Sequence, residues 1–121
     1  MATVGYFEGT SSDILTRLAV RGINTLPLSN GVDGHGKYAY HISKGEVDVV
    51  VAYVHKLLPA PGIQTSPKDI LFACGANKIP VLFVVPEEAR GKAKEILGDT
   101  VELGKIVSPE NLFDEIAKIL G

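Results

Sequence analysis

The run Val47-Asp48-Val49-Val50-Val51-Ala52-Tyr53 constrains this chain more than any other stretch. Its β-branched side chains favour extended backbone, and beyond Asp48 it shows no alternation of apolar and polar residues. A strand that is apolar on both faces needs a cover on both faces, as a central strand of a parallel sheet has. Around it, short apolar runs alternate with amphipathic stretches. Residues 3–7 read as a first strand. After Gly9-Thr10-Ser11-Ser12 comes a helix with Ile14, Leu15, Leu18 and Ala19 on one face, stopped by Gly22. Residues 23–28 read as a second strand. A glycine-rich loop over residues 30–36 then leads into a helix that ends at Lys44-Gly45.

Beyond the central run, Pro59, Pro61 and Gly62 mark a loop. Ser66-Pro67-Lys68-Asp69 supplies an N-cap, a proline at the first helical position and an early carboxylate, opening a helix that runs to about Asn77. Residues 79–85 read as a fourth strand, with Pro80 near its start, where a missing ladder donor is tolerated. A charged helix follows over residues 87–97. Residues 101–107 read as a weaker fifth strand broken by Gly104. Ser108-Pro109-Glu110 caps a last helix with Leu112, Phe113, Ile116 and Ile119 inward. Five strands alternating with five helices predict one α/β domain over residues 1–121, a three-layer α/β/α sandwich on a mostly parallel five-stranded sheet.

Composition narrows the chemistry. Twelve Lys and Arg against fourteen Asp and Glu give a net charge of −2, with no basic run, so no nucleic-acid partner is expected. The longest apolar run is roughly half a membrane span, and the start lacks a basic region followed by an apolar core. No membrane partner is therefore expected, and a cytoplasmic location is. The single Cys74 excludes an internal disulfide framework, and its apolar neighbours suit a small buried hydrophobe. Neither a phosphate-binding P-loop nor a dinucleotide fingerprint is present, so no cofactor is expected. The three histidines lack ligand spacing, and no metal is expected.

In a doubly wound sheet, ligands bind outside the carboxyl ends of the strands, where strand order reverses. Three polar segments fall there. Gly9, Thr10, Ser11 and Ser12 offer a tight turn, hydroxyls and the free amides of a helix start, a combination able to hold a phosphate or carboxylate. The same residues also serve as an ordinary N-cap. Ser29, Asn30 and Gly31 open a loop that contains Asp33 and His35, an available acid and base, or simply two Asx-Gly turns. His55 ends the central run. With His35 it makes a candidate general base for an enzyme acting on a small phosphorylated or carbonyl substrate.

The order Glu8-Gly9-Thr10-Ser11-Ser12-Asp13-Ile14-Leu15, Arg21-Gly22-Ile23-Asn24, Leu28-Ser29-Asn30-Gly31, Ile42-Ser43-Lys44-Gly45, Glu46-Val47-Asp48-Val49-Val50 and Asn77-Lys78-Ile79-Pro80-Val81 resembles methylglyoxal-synthase-like domains. That family includes methylglyoxal synthase and the effector-binding domain of carbamoyl phosphate synthetase. The likeness covers about residues 3 to 85 and implies a phosphate pocket, with Thr10, Ser11 and Ser29 at its hydroxyl positions. The departures are equally specific. The family's strand–helix unit ahead of the Gly-Thr loop has no counterpart before Thr3. The synthase's catalytic aspartate falls at His35, with Asp33 two positions earlier, and a second family aspartate falls at His55. Its His-Asp-Pro-Asp segment is replaced by Ile63-Gln64-Thr65-Ser66. Lost carboxylates argue against the lyase reaction. The expected function is therefore binding of a small anionic ligand, in a sensing or regulatory role, with a lyase or related enzyme as the alternative. A sheet edge left open by the missing unit leads us to expect a homo-oligomer.

Overall fold

A computed structural model describes residues 2–7, 9–29, 37–38, 42–54 and 71–120 of the 121. Strands β1 (Thr3–Phe7), β2 (Asn24–Ser29), β3 (Lys37–Tyr38), β4 (Val49–Tyr53), β5 (Val81–Val84) and β6 (Gly104–Val107) form one sheet. Its order is β3-β2-β1-β4-β5-β6, and every pair is parallel. The helices are α1 (Ser12–Val20), α2 (Phe72–Ala76), α3 (Arg90–Leu97) and α4 (Leu112–Leu120). The α/β class and the parallel sheet are as the alternating pattern predicts.

The central strand explains its own sequence. Val50, Ala52 and Val54 join one apolar cluster while Val49 and Val51 join the opposite one. Period-2 geometry sends successive side chains to opposite faces, so a strand covered twice has no polar side. β5 repeats the division: Val81, Phe83 and Val85 lie on the first face, Leu82 and Val84 on the second. α1 and α4 cover the second face through Ile14, Leu18, Leu112, Phe113 and Ile116. α2 and α3 cover the first through Ala73, Cys74, Ala93 and Leu97. From β1 the chain steps to β2 in one direction, and from β4 to β5 in the other. Crossovers of one hand running in opposite directions put their helices on opposite faces, as found. Fully burying each large side chain, such as Phe7, Leu28 or Phe83, contributes about 1.5–3 kcal/mol.

Several expectations are corrected. Lys37–Tyr38, expected at the start of a helix, is a two-residue strand that pairs Lys37 with Leu28 and Tyr38 with Ser29. Val101 to Leu103, expected in the fifth strand, belong to a 3-10 stretch over Gly98–Leu103, and the strand starts at Gly104 instead of breaking there. Leu15 is half-buried, Ala19 is exposed and Ile119 is 39% exposed, so α1 and α4 bury narrower stripes than expected. The helix expected to open at Ser66-Pro67 falls partly outside the described residues; the described helix spans Phe72–Ala76, with Leu71 at its N-cap. Long-range polar contacts fix the connections. Thr3 N–H donates to Asp48 Oδ2 at 2.8 Å, and Asn77 Nδ2–H donates to the Ile42 carbonyl at 3.1 Å.

Candidate functional site

Strand order reverses between β1 and β4, the place where an open α/β sheet forms its ligand crevice. The registers Phe7 with Leu28 and Tyr6 with Val51 bring the ends of β1, β2 and β4 to one edge, with adjacent strands about 4.8 Å apart. β1 gives way to a sharp turn. Gly9 takes a φ of 97°, the left-handed region open to glycine without Cβ strain. Thr10 then folds back, its N–H and its Oγ1 both donating to the Phe7 carbonyl, at 3.3 and 2.8 Å. Ser11 is the N-cap of α1: its Oγ accepts from Asp13 N–H at 3.2 Å, and its carbonyl accepts from Leu15 N–H at 3.2 Å.

These bonds sort the hydroxyls by what each has left to offer. Thr10 has one hydroxyl proton, and it is committed to the Phe7 carbonyl. The Ser11 hydroxyl is used in its cap only as an acceptor, which leaves its proton for a ligand. Gly9, Ser11 and Ser12 are exposed and Thr10 is half-buried, so the helix start is open to solvent. Ser29 ends β2, is 1% exposed and already makes an interaction inside the fold. Asp13 places a carboxylate in the first turn, which complements the helix dipole and competes with an incoming anion.

No sequence motif marks Tyr53. Half-buried at the end of β4, it is reached by a hydrogen bond from the Ser11 backbone. Burial raises its pKa above the usual tyrosine value, partly offset by that bond, so the phenol is neutral at physiological pH. A groove of about 210 Å³ begins at Tyr53 and passes Val84, Pro86, Ala89, Lys92 and Ile96. Tyr53 thus stands between the polar start of α1 and an apolar groove that Lys92 also lines. Only the strand order reveals this, because residues 11 and 53 are remote in sequence.

Asn30, Gly31, Asp33, His35 and His55 lie outside the described residues. Among the described residues no group of three or more His, Cys, Asp or Glu is placed to hold a metal ion, and no helix is long and apolar enough to cross a membrane. Cys74 is fully buried, and its thiol is pushed up to about 12 by desolvation, which removes it as a nucleophile.

The strand order defines a doubly wound α/β domain whose switch point lies between β1 and β4. No protein-family model matches the chain, and no curated protein matches it.

Proposed function

We propose that this domain binds a small anion, a phosphate or phosphorylated metabolite, at the carboxyl edge of its sheet, in a sensing or regulatory role within the cytoplasm. The observation that carries the reading is the reversal of strand order between β1 and β4, which sets the start of α1 beside Tyr53. In this reading Gly9 shapes the turn, Ser11 donates its hydroxyl proton and the first amides of α1 face the anion. Thr10 acts mainly by holding the turn to Phe7. Lys92 adds positive charge along the groove, where the rest of the metabolite lies. The resemblance to methylglyoxal-synthase-like domains supports the same pocket through Thr10, Ser11 and Ser29. An enzymatic reading needs Asp33, His35 or His55, and no described observation favours it.

Calorimetry and thermal shift with phosphate, sulfate and sugar phosphates test the proposal against chloride at matched ionic strength. Sulfate and phosphate stabilise proteins generally by exclusion, so the diagnostic is saturation, not the shift itself. A ligand at a hundredfold excess over its Kd stabilises by about 2.7 kcal/mol. Ser11→Ala should weaken binding more than Thr10→Ala. Unsaturable shifts that are the same in wild type and Ser11→Ala would remove the site. For the expected homo-oligomer, light scattering against the 12.9 kDa chain mass is decisive. The β6 edge carries Lys105, a charge that discourages strand addition there.

A further inference from the structure

The far end of α1 carries a second opening. At the amino edge of the sheet a cleft of about 280 Å³ lies between α1 and α4, walled by Leu18, Ile23, Phe113, Ile116 and Leu120, with Arg21 at its side. Arg17 and Arg21 both lie over the Phe113 ring, their guanidinium carbons 4.0 and 4.9 Å from its centroid. Two like charges at i and i+4 on one helix repel each other. The same ring and a helix C-terminus attract both, yet among the described residues neither guanidinium has a carboxylate partner. The ion pairs found there are those of Glu115 with Lys105 and Lys118. Both arginines are exposed, while Phe113 beneath them is 6% exposed. The result is an apolar hollow beside two unneutralised planar cations.

We propose that this cleft binds an amphipathic monocarboxylate, its apolar chain between α1 and α4 and its carboxylate on Arg21 and Arg17. Planar guanidinium groups pair with carboxylates through two parallel N–H···O bonds, and a bound carboxylate also relieves the repulsion between the arginines. At about 30 Å³ per water, 280 Å³ is the space of about nine waters, which suits a ligand of about nine or ten heavy atoms such as octanoate. The site is independent of the anion crevice. α1 has nine residues, so its two ends are about 13 Å apart, with the crevice at one and the cleft at the other.

The test titrates octanoate into the full chain and follows methyl and amide NMR signals alongside thermal stability. Saturable shifts are expected at the Leu18, Ile23, Ile116 and Leu120 methyls, with the Ser11 and Ser12 amides unmoved. Arg21→Gln should weaken binding roughly tenfold, the scale of one charged hydrogen-bonding partner, and 1-octanol should bind wild type more weakly by a similar factor. Ala117→Leu, which fills the cleft from its α4 wall, should abolish binding while thermal melting shows the fold intact. Equal affinities for octanoate and octanol would overturn the proposal. So would unchanged affinity in Arg21→Gln, or shifts confined to another surface. Sulfate binding at Ser11 persisting in Arg21→Gln separates this site from the crevice.

Discussion

The two wings of the sheet, β1–α1–β2 on one side of the switch point and β4–α2–β5–β6 on the other, end their helices alike and spend their glycines differently. α1 closes with Ile23 N–H on the Leu18 carbonyl at 3.0 Å and Gly22 N–H on the Ala19 carbonyl at 3.0 Å. α2 closes with Ile79 N–H on the Cys74 carbonyl at 2.9 Å and Lys78 N–H on the Gly75 carbonyl at 3.3 Å. Both are Schellman motifs, and both require a left-handed residue after the cap. The first wing places Gly22 there, at φ 75°, and the second places Lys78, at φ 56°. The second wing instead uses a glycine where two strands meet. A Cβ on Gly104 would overlap the Val81 carbonyl oxygen and lie 2.6 Å from Val81 C and 2.7 Å from Val81 N. A helix stop thus tolerates a side chain at modest cost, whereas a backbone-to-backbone approach does not.

Gly104→Ala tests that contrast most severely. The clash is with main chain, which cannot rotate away, so β6 must shift or detach from β5. A loss of more than about 3 kcal/mol is expected, in the range of the most damaging core changes. Denaturant titration measures it. A loss below 1 kcal/mol would show that β6 adjusts freely and that the contrast between wings is mistaken.

Gly5→Ala is the matching change in the first wing. Its Cβ would lie 2.8 Å from Leu28 Cδ1 and 3.4 Å from Val47 Cγ1, both side-chain atoms. Leu28 is fully buried but can change rotamer, so a loss of about 1–2 kcal/mol is expected, smaller than at Gly104. Equal losses at the two glycines would mean that the packed face is as rigid as the strand pair.

How much of this was legible in the sequence follows from the same physics. β1, β4 and β5 could be read because β-branched runs need no distant partner to declare themselves. The stop of α1 could be read because Gly22 is the residue that such a motif prefers. The stop of α2 was found only approximately, since nothing marks a lysine as left-handed. By sequence alone, Gly104 reads as a break within a strand of residues 101–107. It is the first residue of a shorter strand, and the β-branched Val101 ahead of it turns into a 3-10 stretch after Gly98, whose φ is 52°. At the candidate site, Thr10 and Ser11 could be located by the loop pattern. Their division into a spent and an available proton depends on the bonds to Phe7 and Asp13, which form only in the folded chain. Tyr53 was hidden because its neighbour Ser11 comes from another strand's end.

The two helix stops can be exchanged. Gly22→Ala puts a Cβ in open space, so its cost is conformational alone, about 1 kcal/mol or roughly 4 °C in Tm. Lys78→Gly removes the same penalty but gives the unfolded chain more freedom, and a net gain of about 0.5 kcal/mol is expected. Opposite signs confirm that the left-handed residue, not the surrounding packing, distinguishes the wings. A loss in both variants would point instead to a contact made by the Lys78 side chain.

The smallest effect concerns how α4 is tied to the outermost strand of the second wing. Lys105 Nζ, on β6, donates to Glu115 Oε2 at 2.8 Å, and Lys118 Nζ donates to Oε1 at 3.2 Å. These two hydrogen bonds hold the Glu115 carboxyl below the usual glutamate range. The folded state therefore binds this proton less readily than the unfolded state does. The resulting stabilisation is present above the unfolded glutamate pKa, about 4.3, and disappears as pH falls through the lower folded value. Both lysines are mostly exposed, so solvent and salt screen the pair. Glu115→Gln should leave the Tm nearly unchanged at 1 M salt and lower it slightly at neutral pH in dilute buffer. It should also flatten the acid limb of the stability curve below about pH 4.5. If wild type and Glu115→Gln lose stability in parallel on acidification, the pair does not anchor α4. Attachment of that helix to the sheet would then rest on apolar packing, led by Leu112, Phe113 and Ile116.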